Sequence, residues 1–253
     1  RRMGISLPDG FFSANNILAV EYIRANKKLS APLALHTVKR EGCGYLDKTL
    51  QEGKLPSASA LRAAVLSGID CSGALPNAVR GSFLSAKAAG HFPCDGEKLA
   101  PAFLSSLLLN DPEDPENLLF CSGGLYYRLA AKAAEATSLT SLTELTATKK
   151  YTNARIRRAI LACHFGITSS GFLSQPGYTQ FLAANGTGLA LLRNIREYTE
   201  FPILTKPSDT GALSAGALSE KTVADRADAL FQYTKPRPAS AASALRFSPF
   251  IMK

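Results

Sequence analysis

Residues 148–165, TKKYTNARIRRAILACHF, restrict this chain more than any other stretch, because they set two demands on one helix. The ten residues 149–158 hold five cations (Lys149, Lys150, Arg155, Arg157 and Arg158) and the aromatic Tyr151. The segment then turns apolar, with Ile156, Ile160 and Cys163 or His164 at spacings that make one buried stripe. Thr152 or Asn153 can cap the helix by accepting from its unpaired first-turn N–H groups. Arg155 and Arg158 lie three apart and share a face that Arg157 does not. The spacing predicts a helix anchored in a core, with its first turns cationic and outward. Cations at a helix start oppose the macrodipole, which favours anions there. A phosphate-bearing partner would supply the missing negative charge. A solvated charged face gives the same pattern, and the residues alone leave both readings open.

The balance of charge points the same way. The 253 residues carry a formal net charge of +9, which favours a polyanionic partner. With 46% hydrophobic and 19% charged residues, the composition is that of a soluble globular chain of one large or two modest domains. The five cysteines (Cys43, Cys71, Cys94, Cys121, Cys163) are dispersed and form no CxxC pair. That pattern argues against a disulfide framework or a zinc site and for reduced thiols in a cytoplasmic protein. No apolar run has the length of a membrane span, and the opening RRMGISLPDG has no apolar stretch behind it. The three histidines (His36, His91, His164) lack metal-ligand spacing, so no metal is expected on a protein site. The carboxylates Asp111, Glu113, Asp114 and Glu116 sit among prolines and read as a solvated loop. Neither GxxxxGK[ST] nor GxGxxG occurs, and no catalytic residue can be named.

Helical periodicity recurs along the chain. Residues 12–29 read as a helix capped by Ser13, Asn15 or Asn16, and Ala31–Arg40 alternates like a strand. A glycine-rich loop leads into Ser57-Ala-Ser59-Ala-Leu-Arg62, a helix start with two hydroxyls and a guanidinium one turn in. Helix, strand, loop and helix in that order suggest an α/β unit, where helix starts after strands bind phosphates. Plain capping by serine explains the hydroxyls equally. Further helices are predicted over 76–89, 99–110, 124–135 (with Leu125, Leu129 and Ala133 on one face), 138–145, 189–198 and 223–233. Phe201–Lys206 reads as a buried strand, and 207–218 as a loop.

Taken together, five segments in order resemble the bacterial tRNA(Met) cytidine acetate ligases, a nucleotidyltransferase-like family. They are ANNILAVEYIRA (14–25), TVKREGCGYLD (37–47), SASALRAAV (57–65), TKKYTNARIRRAIL (148–161) and GTGLALLRNIREYTEFPILTK (186–206). The resemblance implies an α/β plus mainly α fold: the second half of a Rossmann-like nucleotidyltransferase domain (1–72), a helical RNA-binding domain (73–200) and a mixed C-terminal region (201–253). It implies an enzyme that activates acetate with ATP to acetyl-adenylate, with Mg2+ as a companion of the nucleotide. That enzyme then acetylates the wobble cytidine of elongator tRNA(Met). The ATP-contacting positions fall on Asn15 or Asn16, Arg40, Ser57, Ser59 and Arg62. The tRNA-facing positions fall on Lys149, Lys150, Tyr151, Arg155, Arg157 and Arg158, with Tyr151 placed to stack on a base. The family's HxGH motif is not in this sequence. The chain therefore reads as a C-terminal portion that does not adenylate acetate alone and works with a complementing N-terminal half or as a homodimer. Two other readings share these residues: a non-catalytic basic RNA-binding module, and a nucleotidyltransferase with another acceptor.

Overall fold

The structure is a computed structural model that describes residues 13–38, 42, 47, 49–51, 53, 55–171, 175–246 and 248–252. The chain divides into two compact units, Arg1–Gly68 and Ile69–Lys253.

In the first unit, α1 (Ala14–Asn26) starts at Ser13, whose hydroxyl accepts from the Asn16 N–H at 3.4 Å. The helical periodicity of 12–29 thus produces a helix, but Ile17, Val20 and Ile23 are exposed. The strand expected over Ala31–Arg40 does not form: 31–38 are irregular, and 39 and 40 lie outside the described residues. A strand needs a neighbour to pair with. Here the Asn26 side chain takes that place for Leu33, accepting its N–H at 2.8 Å and donating to its carbonyl at 2.9 Å. Val38 is 94% exposed, so the alternation finds no sheet to bury against among the described residues. The second helix, α2 (Ala58–Leu66), buries Ala60 and Ala64.

The second unit is mainly helical. Its centre is formed by α4 (Ala100–Leu109), α5 (Leu125–Ala133), α6 (Leu139–Thr146) and α7 (Asn153–Phe165), preceded by α3 (Asn77–Ala88). One apolar cluster unites Phe103 and Leu107 of α4, Leu125, Leu129 and Ala133 of α5, Leu142 of α6, and Ile156, Ala159 and Ile160 of α7. The i, i+4, i+8 stripe of α5 and the Ile156–Ile160 stripe of α7 therefore face each other's helices, as their periodicity requires. Beyond α7, β1 (Thr179–Gln180) pairs in parallel with β3 (Ile203–Leu204), and β2 (Ala183–Ala184) with β4 (Phe250–Ile251). Between them run α8 (Gly186–Tyr198), α9 (Ala215–Phe231) and α10 (Ala241–Leu245). The start of α9 lies eight residues before the expected Val223, within the segment read as a loop. Ser214 caps it by accepting from the Ala217 N–H at 3.3 Å, and the alanines that follow favour helix over coil.

The entry to α5 positions the functional surface. Gly123 and Gly124 both take left-handed backbone angles, φ +77° and +85°, which side chains with a Cβ rarely adopt. That turn aims both N–H groups at the Glu116 carboxylate, at 2.6 and 2.8 Å. Glu116 thus fixes the turn that enters α5 and is not merely part of a solvated acidic loop. The Gly123 and Gly124 N–H bonds hold its pKa below the usual glutamate value, with Lys150 and Arg155 adding attraction. A carboxylate with a depressed folded-state pKa stabilises the fold above its unfolded value, about 4.3, and loses that contribution as pH falls further. Glu116→Gln should therefore lower the melting temperature at pH 7, with the gap to wild type closing as pH drops below about 4. Melting curves across pH check this. A gap that stays constant into strong acid would remove Glu116 as the source.

Candidate functional site

The basic stretch splits into two sets of side chains with different roles. Thr152 caps α7, its hydroxyl accepting from the Arg155 N–H at 3.4 Å. Thr148 turns the chain just before it, accepting from the N–H groups of Lys150 and Tyr151 at 3.2 and 3.1 Å. Tyr151 then points inward: it is 7% exposed and belongs to the same core cluster as Ile156. Tyr151 precedes the cap and Ile156 follows it by four residues, the arrangement of a hydrophobic staple. The Tyr151 hydroxyl donates to the Gly123 carbonyl, and the Lys150 ammonium donates to the same oxygen at 2.7 Å. Lys150 and Arg155 both lie over the Tyr151 ring, at 5.1 and 5.4 Å from its centre. The ring is enclosed by protein, so it has no face left for a nucleobase, contrary to the stacking role expected for it.

Arg155 is half-buried and serves the same loop. Its Nε donates to the Phe120 carbonyl at 3.0 Å, and its Nη2 donates to the Ser122 carbonyl and, at 3.2 Å, to the Ser122 hydroxyl. Arg158, one turn on, lies over the Phe120 ring with its guanidinium carbon 4.9 Å from the ring centre. Arg155 and Arg158 do share a side of the helix, the side that meets residues 120–123. Arg157 leans the other way. It lines a cavity of about 300 Å³ together with Asp95, Glu97, Thr140 and the apolar Phe103 and Ile160. Glu97 there accepts from the N–H groups of Leu139 and Thr140 at 2.7 and 2.9 Å, capping α6. Burial pushes the Glu97 pKa up, but the Thr140 hydroxyl and these two N–H bonds outweigh it and hold the carboxyl ionised.

Lys149, Arg157 and Arg158 remain exposed. None of the three forms an ion pair among the described residues. Lys150 is exposed too, but its ammonium is engaged by the Gly123 carbonyl; with Tyr151 and Arg155 it holds the loop, and Lys149, Arg157 and Arg158 present charge with no such bond to residues 120–123. Phe120 was not visible as a functional candidate in the sequence. The pair Gly123-Gly124 close after it was the available sign of an irregular backbone at that place.

The expected nucleotide positions lie in the first unit. Ser57 caps α2 and is 1% exposed. Its hydroxyl donates to the Asp47 carbonyl and accepts from the Ala60 N–H at 2.9 Å, so both its functions are used within the protein. Ser59 and Arg62 stand on the open first turns of α2, with Arg62 Nη2 3.5 Å from the Ser59 hydroxyl. With the Ala60 N–H held by Ser57, the Ala58 and Ser59 N–H groups and the Arg62 guanidinium are the groups of that turn suited to meet an anion. Asn15 and Asn16 are exposed on the first turn of α1, and Arg40 lies outside the described residues. No cluster of three or more His, Cys, Asp or Glu side chains among the described residues could hold a metal ion. None of the described helices is long and apolar enough to cross a membrane.

Comparison with known proteins identifies this architecture. The family model described as HIGH Nucleotidyl Transferase matches residues 7–243. A tRNA(Met) cytidine acetate ligase of Acetivibrio thermocellus is 27% identical over 216 residues, covering 81% of this chain and 52% of that protein. Its counterpart in Caldanaerobacter subterraneus subsp. tengcongensis is 30% identical over 198 residues, covering 77% and 49%. The chain thus spans about half the length of the curated relatives it matches. Among solved structures, Thermotoga maritima TmcAL without ligand superposes with a TM-score of 0.81 at 21% identity, over 96% of this chain and 61% of that one. The same protein bound with alpha-thio ATP gives a TM-score of 0.78 over 95% and 60%. These likenesses establish an α/β fold of nucleotidyltransferase type followed by helices, despite the scarcity of strand among the described residues. With a family model running over nearly all of its length, the chain belongs to the HIGH nucleotidyl transferase family, alongside relatives that are tRNA(Met) cytidine acetate ligases.

Proposed function

We propose that this chain is part of an ATP-dependent ligase that acetylates the wobble cytidine of a tRNA(Met). In that reaction acetate attacks the α-phosphate of ATP, giving acetyl-adenylate and pyrophosphate. The exocyclic amine of the cytidine then attacks the acetyl carbonyl and AMP leaves. The first unit supplies part of the ATP site, through the open N–H groups of α2, Ser59, Arg62 and the Asn15–Asn16 turn of α1. Any Mg2+ arrives bound to the nucleotide's phosphates, which carry the hard oxygen ligands it prefers. The HxGH motif that the family resemblance calls for is not among these 253 residues. Adenylation therefore draws it from elsewhere in the polypeptide or from a partner chain. ATP and tRNA as substrates put the reaction in the cytoplasm.

The second unit supplies RNA contacts. The observation that carries this reading is the set of exposed cations on and before α7 (Lys149, Arg157 and Arg158), with no carboxylate paired to them. Cations kept unpaired near a helix N-terminus are unfavourable to the isolated protein and favourable against a phosphate backbone.

Titration of a tRNA(Met) transcript across a salt series tests the RNA contacts. Arg157→Ala and Arg158→Ala should each weaken binding and reduce the slope of log K against log salt by about one. Unchanged slopes in both variants would take α7 out of the interface. Arg155→Ala should act differently, lowering stability by about 1–2 kcal/mol through its lost bonds to the loop carbonyls. The nucleotide site has a separate test. Arg62→Ala should weaken ATP binding and leave the RNA titration unchanged. Equal loss of both would mean that Arg62 is not a phosphate ligand.

A further inference from the structure

Phe120 is the one residue other than glycine with a positive φ among the described residues, at +68°. A left-handed backbone costs an L-residue roughly 1–2 kcal/mol, and bulky side chains are seldom found there. The surrounding bonds maintain it. Leu119 N–H donates to the Ile167 carbonyl at 2.8 Å, and Cys121 N–H donates to the Leu118 carbonyl at 3.0 Å. The Phe120 carbonyl is taken by Arg155, the Ser122 carbonyl by the same guanidinium, and the Gly123 carbonyl by Lys150 and Tyr151. Leu118 and Cys121 are buried in the core on either side. Between these two inward anchors the left-handed turn sends the phenyl ring outward, where it is 38% exposed. The ring is not a member of the buried core cluster, and a glycine would fit the backbone without strain. Strained residues persist where the surrounding structure over-determines them, and they gather at binding sites.

Arg158, an exposed cation of the proposed RNA face, lies over this ring. An aromatic ring with a guanidinium lying over it, on a basic surface, offers a flat stack on which unstacked bases of single-stranded RNA can add. We propose that Phe120 and Arg158 form a stacking platform for an unpaired base of the RNA bound by α7. This rests on the RNA reading of α7 and adds to it a preference for unpaired over duplex RNA. The tyrosine of the basic stretch braces the loop from below, and the phenylalanine takes the contact role.

Phe120→Gly removes the ring and relieves the backbone angle, but it also gives up the ring's covered surface and loosens the unfolded chain, so a melting curve first establishes that the variant is folded. The whole chain is titrated with an RNA hairpin carrying an unpaired loop and with a blunt RNA duplex, each across a salt series. Phe120→Gly should bind the hairpin roughly ten-fold more weakly with an unchanged salt slope, because a neutral ring releases no counterions. Duplex affinity should not change, and Phe120→Tyr should restore hairpin binding. Hairpin binding by Phe120→Gly as tight as wild type would overturn the platform while leaving the basic face in place, and so would an equal loss on hairpin and duplex. If the wild-type chain binds neither RNA in a salt-dependent way, the RNA reading of α7 falls, and the platform with it.

Discussion

The second unit depends on how the short segment before α5 is held. Between Glu116 and Gly124 the backbone is irregular, and irregular backbone near a core must find partners for its polar groups. Glu116 takes two N–H groups, while Arg155, Lys150 and Tyr151 serve three carbonyls. The charges reinforce one another, since the carboxylate and the two cations lie around the same turn. This clamp joins the N-terminal ends of α5 and α7. By using Lys150 and Arg155 internally, it leaves Lys149, Arg157 and Arg158 as the outward charge.

One basic run therefore has two functions, and that division explains why its charge density is so high. Cations that brace a loop cannot also be spent on a partner, so a surface helix that must do both needs more of them than a contact surface alone. The opposition between helix dipole and cationic first turns is partly answered inside the protein. Glu116 places a carboxylate near Lys150 and Arg155, and Glu97 places another on the side of Arg157. What remains is the outward charge of Lys149, Arg157 and Arg158, none of which forms an ion pair among the described residues. An anionic polymer would complete the balance.

Much of this was legible in the residues. The stripes Leu125–Leu129–Ala133 and Ile156–Ile160 announced two helices and their buried faces, because helical period and burial are tied by geometry. Arg155 and Arg158 were correctly placed on one side of α7, and Ser57 was open to reading as a cap. The inward turn of Tyr151 was missed, although its position before the cap, with Ile156 four residues after it, is the pattern of a staple. The strand expected at Ala31–Arg40 failed because alternation states a preference for a half-buried sheet and cannot supply the sheet. Phe120 was invisible for a related reason. Its outward pose comes from a backbone angle imposed by long-range bonds from Arg155 and by burial of its neighbours, and no local pattern encodes it.

We propose the surface formed by α7 and Phe120 as the place where this chain meets RNA. Photo-crosslinking to a tRNA(Met) transcript containing 4-thiouridine, mapped by mass spectrometry, tests it most directly. Crosslinks are expected on Phe120 and within residues 149–158, competed away by unlabelled transcript and lost at high salt. Specific, salt-sensitive crosslinks confined to other surfaces, such as α8 or α9, would contradict it.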